Sequence, residues 1–220
     1  LVPHFEKMLY DQAGLLRVLS KLSLIYPSPL IMDAQIQTLQ YLQNEMLSDT
    51  NFFFSAQDAD SEGIEGLYFT FTKDEFIETS TRADEEIGEK IETILTWFKF
   101  EESGNFEKKL NVVALNPDKK EEYFKPENWE LVRKIRQALL EERKKRIPPK
   151  TDNKGVASWN FMMAQALVDV VQYSKVVPIQ DAASSLLKNV LEGIHKTFLS
   201  HGTKEERSNI VSNTTKQNSS

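Results

Sequence analysis

The stretch VPHFEKMLYDQ (2–12) places His4, Glu6, Tyr10 and Asp11 close together at the start of an apolar pattern. Apolar residues recur every three or four positions and predict a helix from about His4 to Leu24, with Phe5, Met8, Leu9, Leu15, Leu16, Leu19 and Leu22 on one stripe. Pro3 suits the first turn, where its missing N–H costs nothing. His4 and Glu6 would then face unpaired N–H groups and the positive end of the dipole, which favours a carboxylate and a neutral imidazole. A neutral imidazole is a competent base near pH 7. His4 and Asp11 would lie about 10 Å apart along such a helix, within reach of one sugar-sized ligand. The same residues also make a helix cap with bonded neighbours, and spacing alone leaves both readings open.

A second cluster, SAQDADSEGIEG (55–66), carries Asp58, Asp60, Glu62 and Glu65, punctuated by Gly63 and Gly66. Crowded carboxylates need a cation, an arginine or backbone N–H groups. The opening Asp58-x-Asp60-x-Glu62-Gly63 resembles a calcium loop, but the twelfth position is Phe69 rather than glutamate, so that reading is rejected. Gln57, Asp58 and Asp60 suit sugar hydroxyls or acid–base work, and an Asx-rich turn is the alternative. In the third stretch, TDNKGVASWNFMMAQAL (151–167), Trp159 and Asn160 open a helix, as a stacking platform or as core. His4, Asp11 and Asp58 are the catalytic candidates. Glu6, Tyr10, Gln57, Asp60, Trp159 and Asn160 are the substrate-binding ones. No metal ligand set and no cofactor are expected, since neither a phosphate-cradling glycine loop nor a Cys/His cluster is present.

Bulk properties narrow the classes. The 220 residues are 40% hydrophobic and 27% charged, with net charge −6 and no cysteine. Broad attraction to nucleic acid is not expected, and no apolar run suits a membrane span. Disulfide and thiol chemistry are excluded within the chain, and a cytoplasmic setting is the expectation.

Six long helices are predicted: the first, then about Pro29–Leu47, Ala83–Phe100, Glu127–Arg146, Val156–Tyr173 and Ile179–Leu199. FFFSA (52–56) and LYFTF (67–71) read as extended strands flanking the acidic turn. Thr72 with Glu75 reads as a capping box, and 110–117 as another extended piece. EERKKR (141–146) reads as a solvated helix end before Pro148-Pro149. From His201 the polar tail is expected to be disordered.

VPHFEKMLYDQA, FSAQDADSEGIEGLYF, GNFE (104–107) and DNKGVASWN resemble, in this order, stretches of the spermatogenesis-associated protein 20 family, over about Val2 to Leu199. The resemblance implies an N-terminal thioredoxin-like domain followed by a six-hairpin (α/α)6 toroid like those of N-acylglucosamine 2-epimerases, cellobiose epimerases and several glycosidases. It implies an all-α fold here, a partial toroid over 1–200 with a β-hairpin insertion and a tail over 201–220. The chain would be an internal piece of a longer protein, without the thioredoxin-like partner domain. It implies a carbohydrate-active domain, epimerase-like or glycosidase-like, with the ligand in a central cleft where His4 and the acidic turn meet. The alternative is a non-catalytic interaction domain. Two departures stand out: Asn153 where the family has aspartate, and Phe161 where it has glycine. Related epimerases use two histidines, and only His4 falls in a matching motif, which leaves a carboxylate-driven hydrolysis open.

Overall fold

The computed structural model describes residues 2–199; the tail expected to be disordered lies outside the described residues. The elements run β1 (Lys7–Met8), α1 (Leu9–Ile25), α2 (Pro29–Tyr41), β2 (Ala56–Gln57), β3 (Asp60–Ser61), β4 (Ile64–Glu65), α3 (Lys73–Ala83), α4 (Glu85–Glu89) and α5 (Ile91–Thr96). They continue with α6 (Lys120–Tyr123), α7 (Pro126–Arg143), β5 (Thr151–Asp152), α8 (Ala157–Tyr173) and α9 (Val177–Ile194). Wider π-type turns, Leu42–Met46 and His195–Leu199, extend α2 and α9. The fold is all-α with small β pieces, and it divides into two compact units.

One unit holds Glu6–Asp58 and the chain from Lys150 onward. Its core is helical: α8 packs against both α1 and α9, and α1 also packs against α2. Leu9, Leu16, Leu42, Met46, Phe53, Met163, Leu167, Val170 and Val190 are buried there, each large side chain contributing about 1.5–3 kcal/mol. A three-stranded antiparallel sheet, in the order β1-β2-β5, ties the entry of α1 to the entry of α8. Asn160, fully buried at the start of α8, clamps this arrangement. Its Oδ1 accepts the Phe53 N–H at 2.7 Å, and its Nδ2 donates to the Phe53 carbonyl at 3.0 Å and to the Val156 carbonyl at 3.1 Å. Gly193 in α9 is equally constrained, since a Cβ there would stand 2.1 Å from the Asn51 carbonyl oxygen.

The first helix departs from its expected start. Residues 2–6 carry no helical assignment, Lys7–Met8 pair with Ala56–Gln57, and α1 begins at Leu9. His4 and Glu6 therefore do not sit at a helix N-terminus: Lys7 and Met8 pair in the sheet before the helix begins. The predicted apolar stripe also splits. Leu9 and Leu16 turn inward with Ala13 and Ser20, while Leu15 and Leu22 face solvent.

The other unit holds residues up to Phe5 and Ala59–Pro149. Its core gathers Phe76, Ile87, Ile94, Trp97, Leu131, Val132 and Ile135 where α3 packs on α7. The Thr72 capping box is present: the Thr72 N–H donates to Glu75 Oε2 at 2.8 Å and the Glu75 N–H to Thr72 Oγ1 at 3.1 Å. The helix expected over Ala83–Phe100 is broken into α4 and α5. Asp84, extended at φ −162°, ends α3 and caps α4 through the Glu86 N–H, and Lys90 interrupts the ladder again. The segment 67–71 is not a strand; only Phe71 bridges, to Asn111. The extended piece at 110–117 contributes that bridge and a second one, between Phe98 and Leu115.

Replacing Asn160 by Ala strands two backbone groups of Phe53, so denaturant unfolding should show a loss of about 2–4 kcal/mol. Asp84 is held below the usual carboxylate range by Lys134 at 2.6 Å, then by the Glu86 N–H. A folded pKa below the unfolded one means stabilisation that is present above about pH 4 and lost as pH falls through the folded value. Denaturation midpoints should therefore drop less on acidification in Asp84→Asn than in the unaltered chain.

Candidate functional site

The three motif stretches meet in the β1-β2-β5 sheet. Lys7 pairs with Gln57 and Met8 with Ala56; Ala56 then pairs with Asp152 and Gln57 with Thr151. The Leu9 N–H donates to the Ser55 carbonyl at 2.9 Å and the Asp58 N–H to the Lys150 carbonyl at 2.8 Å, which extends the stitching at both ends. Segments separated by about fifty and a hundred positions are thus held side by side, although spacing predicted a helix for the first of them.

Seven of the nine candidates belong to this unit. Tyr10 and Trp159 meet edge to face with ring centroids 4.8 Å apart, Tyr10 partly open to solvent and Trp159 half-buried. Glu6 lies exposed before β1 and Asp11 exposed on α1. Gln57 is buried, and its Oε1 accepts from the Tyr41 hydroxyl at 3.4 Å. Asp58 is exposed directly after β2. Asn160 is the backbone clamp, with both ends of its amide engaged, and its neighbour Phe161 is about half exposed. Asp152, at the sheet edge, titrates below its ordinary value: burial pushes it up, and the Lys154 N–H and ammonium outweigh that.

His4 and Asp60 fall in the other unit, both exposed. There the acidic cluster resolves into a tight hairpin. Glu62 and Gly63 take φ of 55° and 75°, the two left-handed residues of a type I′ turn joining β3 to β4. Asp60 stands opposite Glu65 across the hairpin, and its carboxylates spread into solvent. Among the described residues, no three His, Cys, Asp or Glu side chains converge to hold a metal ion.

Behind this hairpin lies an open cavity of about 180 Å³, lined by Ser61, Glu62, Leu67, Tyr68, Glu75, Leu110 and Arg146. The loop that forms its wall is rigidly held. Gly66, at φ 70°, lets the Phe5 ring approach to where a Cβ would clash at 2.6 Å. Phe5 in turn stacks on Phe69 at 5.9 Å and edges Phe106 at 5.3 Å. Ser61 Oγ donates to the Ile147 carbonyl. Arg146 Nη1 donates to the carbonyls of Thr70 at 2.6 Å and Leu67 at 3.1 Å, its Nη2 reaches Glu75 at 3.5 Å, and its guanidinium lies 4.3 Å over the Phe71 ring. Arg143 sits 5.1 Å over both Tyr68 and Phe69. The basic run is therefore only partly a solvated helix end. Lys144 and Lys145 pair with Glu141 and Glu142 on the surface, while the two arginines turn inward. Their signal in the sequence was the three-residue spacing of Arg143 and Arg146, together with the aromatic run they could stack on.

In class, then, this is an all-α protein of two units, one carrying a sheet that joins three motif stretches and the other an arginine-braced cavity. No family model matches the chain. An alignment 77 residues long, covering 32% of the chain, is 39% identical to mouse spermatogenesis-associated protein 20. The human protein of that name is 38% identical over 77 residues. The rat protein is 39% identical over 66 residues, 30% of the chain. The chain spans 10% of the length of the mouse and human relatives it matches and 8% of the rat one.

Arg146→Ala removes the donors that gather the 67–70 carbonyls. Amide hydrogen exchange across 66–71 should accelerate at least about tenfold, while α8 and α9 keep their protection.

Proposed function

We propose that the chain is part of a carbohydrate-active helical domain, epimerase-like or glycosidase-like, that binds or converts a small sugar. The cavity behind the acidic hairpin carries this proposal. It is concave, it has the Tyr68 ring as an apolar wall, and it offers Ser61, Glu62, Glu75 and Arg146 as donors and acceptors, the mixture a polyhydroxylated ring needs. The hairpin itself lies in the second of the motif stretches. Tyr10 with Trp159 offers an aromatic surface in the other unit, next in sequence to Asp11. His4, Asp11 and Asp58, all exposed, are the residues proposed for acid–base work.

A second proposal, a non-catalytic interaction domain joined to a thioredoxin-like module, draws on one observation. Asn160 is fully engaged inside the fold and Gln57 is buried against Tyr41, so two motif residues do structural work. A cytoplasmic setting is proposed from the lack of cysteine.

Saturation-transfer NMR of the chain with a panel of monosaccharides and disaccharides separates the two. Sugar signals that weaken at least about fivefold in Glu62→Gln, with the fold unchanged by circular dichroism, support the cavity. No saturation transfer to any sugar defeats the carbohydrate assignment. His4→Ala and Asp58→Ala should leave the melting temperature within about 2 °C of the unaltered chain, as exposed residues do, and slow any C2 proton exchange or hydrolysis.

A further inference from the structure

We infer that the cavity behind the acidic hairpin selects a protonated amine, so that its ligand, on the carbohydrate reading proposed above, is a sugar ring bearing a free ammonium group. What each lining group has left after its bonds within the fold decides this. Arg146 Nη1 is shared among the carbonyls of Leu67, Tyr68 and Thr70, and Nη2 reaches Glu75 at 3.5 Å, so the cation is answered inside the wall. Ser61 Oγ gives its proton to the Ile147 carbonyl and can only accept from a ligand. Glu75 Oε2 takes the Thr72 N–H, and Oε1 faces Arg146. Two polar lining groups are uncommitted among the described residues. One is the Glu62 carboxylate, exposed in the turn. The other is the Tyr68 hydroxyl, on a side chain only 7% exposed.

The cavity therefore offers a ligand acceptors, one hydroxyl and an unanswered negative charge. Sugar hydroxyls can use the acceptors, but only a cation matches the charge, through hydrogen bonds that are shorter and stronger than neutral ones. Asp60 and Glu65, opposite each other in the same hairpin, and the net charge of −6 add potential of the same sign. Arg143 lies 5.1 Å over the Tyr68 ring and makes no ion pair with Glu62 among the described residues, so it steadies the wall and leaves the carboxylate unneutralised. The turn itself does not call for glutamate: at φ 55° in a type I′ turn, Asn or Gly is the favoured residue. Size points to a ring. The volume of about 180 Å³ exceeds the roughly 150 Å³ that encloses a benzene, and Leu67, Leu110 and the Tyr68 ring supply apolar faces for its C–H groups.

The test is a ligand-observed NMR titration of the full chain with glucose, glucosamine, N-acetylglucosamine and cyclohexylamine. Glucosamine should bind at least about tenfold more tightly than glucose or the N-acetylated sugar, which keeps the ring and loses the charge. Added salt should weaken glucosamine more than glucose. Glu62→Asn should bring glucosamine down to the affinity of glucose while the melting temperature holds or rises, because Asn-Gly is the favoured pair of this turn. Tyr68→Phe should weaken glucosamine and glucose alike, by about threefold to tenfold. Equal affinity for glucose and glucosamine overturns the inference and leaves the carbohydrate reading standing. Tight glucosamine binding that neither variant changes also overturns it, by placing the site elsewhere. Cyclohexylamine bound through Glu62 with no sugar taken up upholds the amine and defeats the carbohydrate reading. Binding of none of the four sinks both.

Discussion

The amide of Asn160 is the constraint on which one of the two units depends. A side chain at the start of α8 satisfies both backbone groups of Phe53, a residue 107 positions earlier, deep among apolar neighbours. Either group left bare at that depth would cost as much as several tenths of the stability of an ordinary domain. Because Phe53 is fixed, Ser55, Ala56 and Gln57 are fixed after it, and β1 and β5 find their register on β2. The sheet has only two residues per strand, so pairing alone would be marginal. Its order is inherited from the core through one amide.

The other unit solves a comparable problem with cations. An aromatic run, Tyr68, Phe69 and Phe71, leaves several carbonyls without strand partners because 67–71 does not join a sheet. Arg146 supplies N–H donors to those carbonyls and covers the Phe71 ring, while Arg143 covers Tyr68 and Phe69. Planar, always-charged guanidinium groups can donate in the ring plane and stack across it at once, which lysine cannot do. The pattern explains why the loop remains ordered beside an acidic hairpin.

Periodicity located most of the helices, because α2, α7, α8 and α9 each bury a regular stripe. The Thr72–Glu75 box was legible for the same local reason: its two hydrogen bonds join residues three apart. What escaped the sequence depended on distant partners. Nothing within residues 2–8 announces that Lys7 and Met8 will pair with Ala56 and Gln57 rather than start a helix. Asp84 and Lys90 broke a stretch whose apolar spacing looked continuous. Of the candidate site, the motif positions were legible as chemistry-bearing types, while the meeting of their segments in one sheet depends on pairings across about fifty and a hundred positions. Arg146 was legible as a cation three positions after Arg143, but its role was not, since that is defined by carbonyls more than seventy positions away.

The Asp58 N–H bonded to the Lys150 carbonyl has a topological meaning of its own. It joins the residue before Ala59 to the residue after Pro149, so the two chain segments of one unit are stitched together where the sequence of the other interrupts them. On the ribosome the inserted body can mature first, because all its central sequence emerges before α8 does, whereas its host must wait for Asn160. The two ends also lie close enough to be spliced: a residue or two joining 58 to 150 would make the host a continuous chain, with its long-range closures turned into local ones and its folding correspondingly quicker.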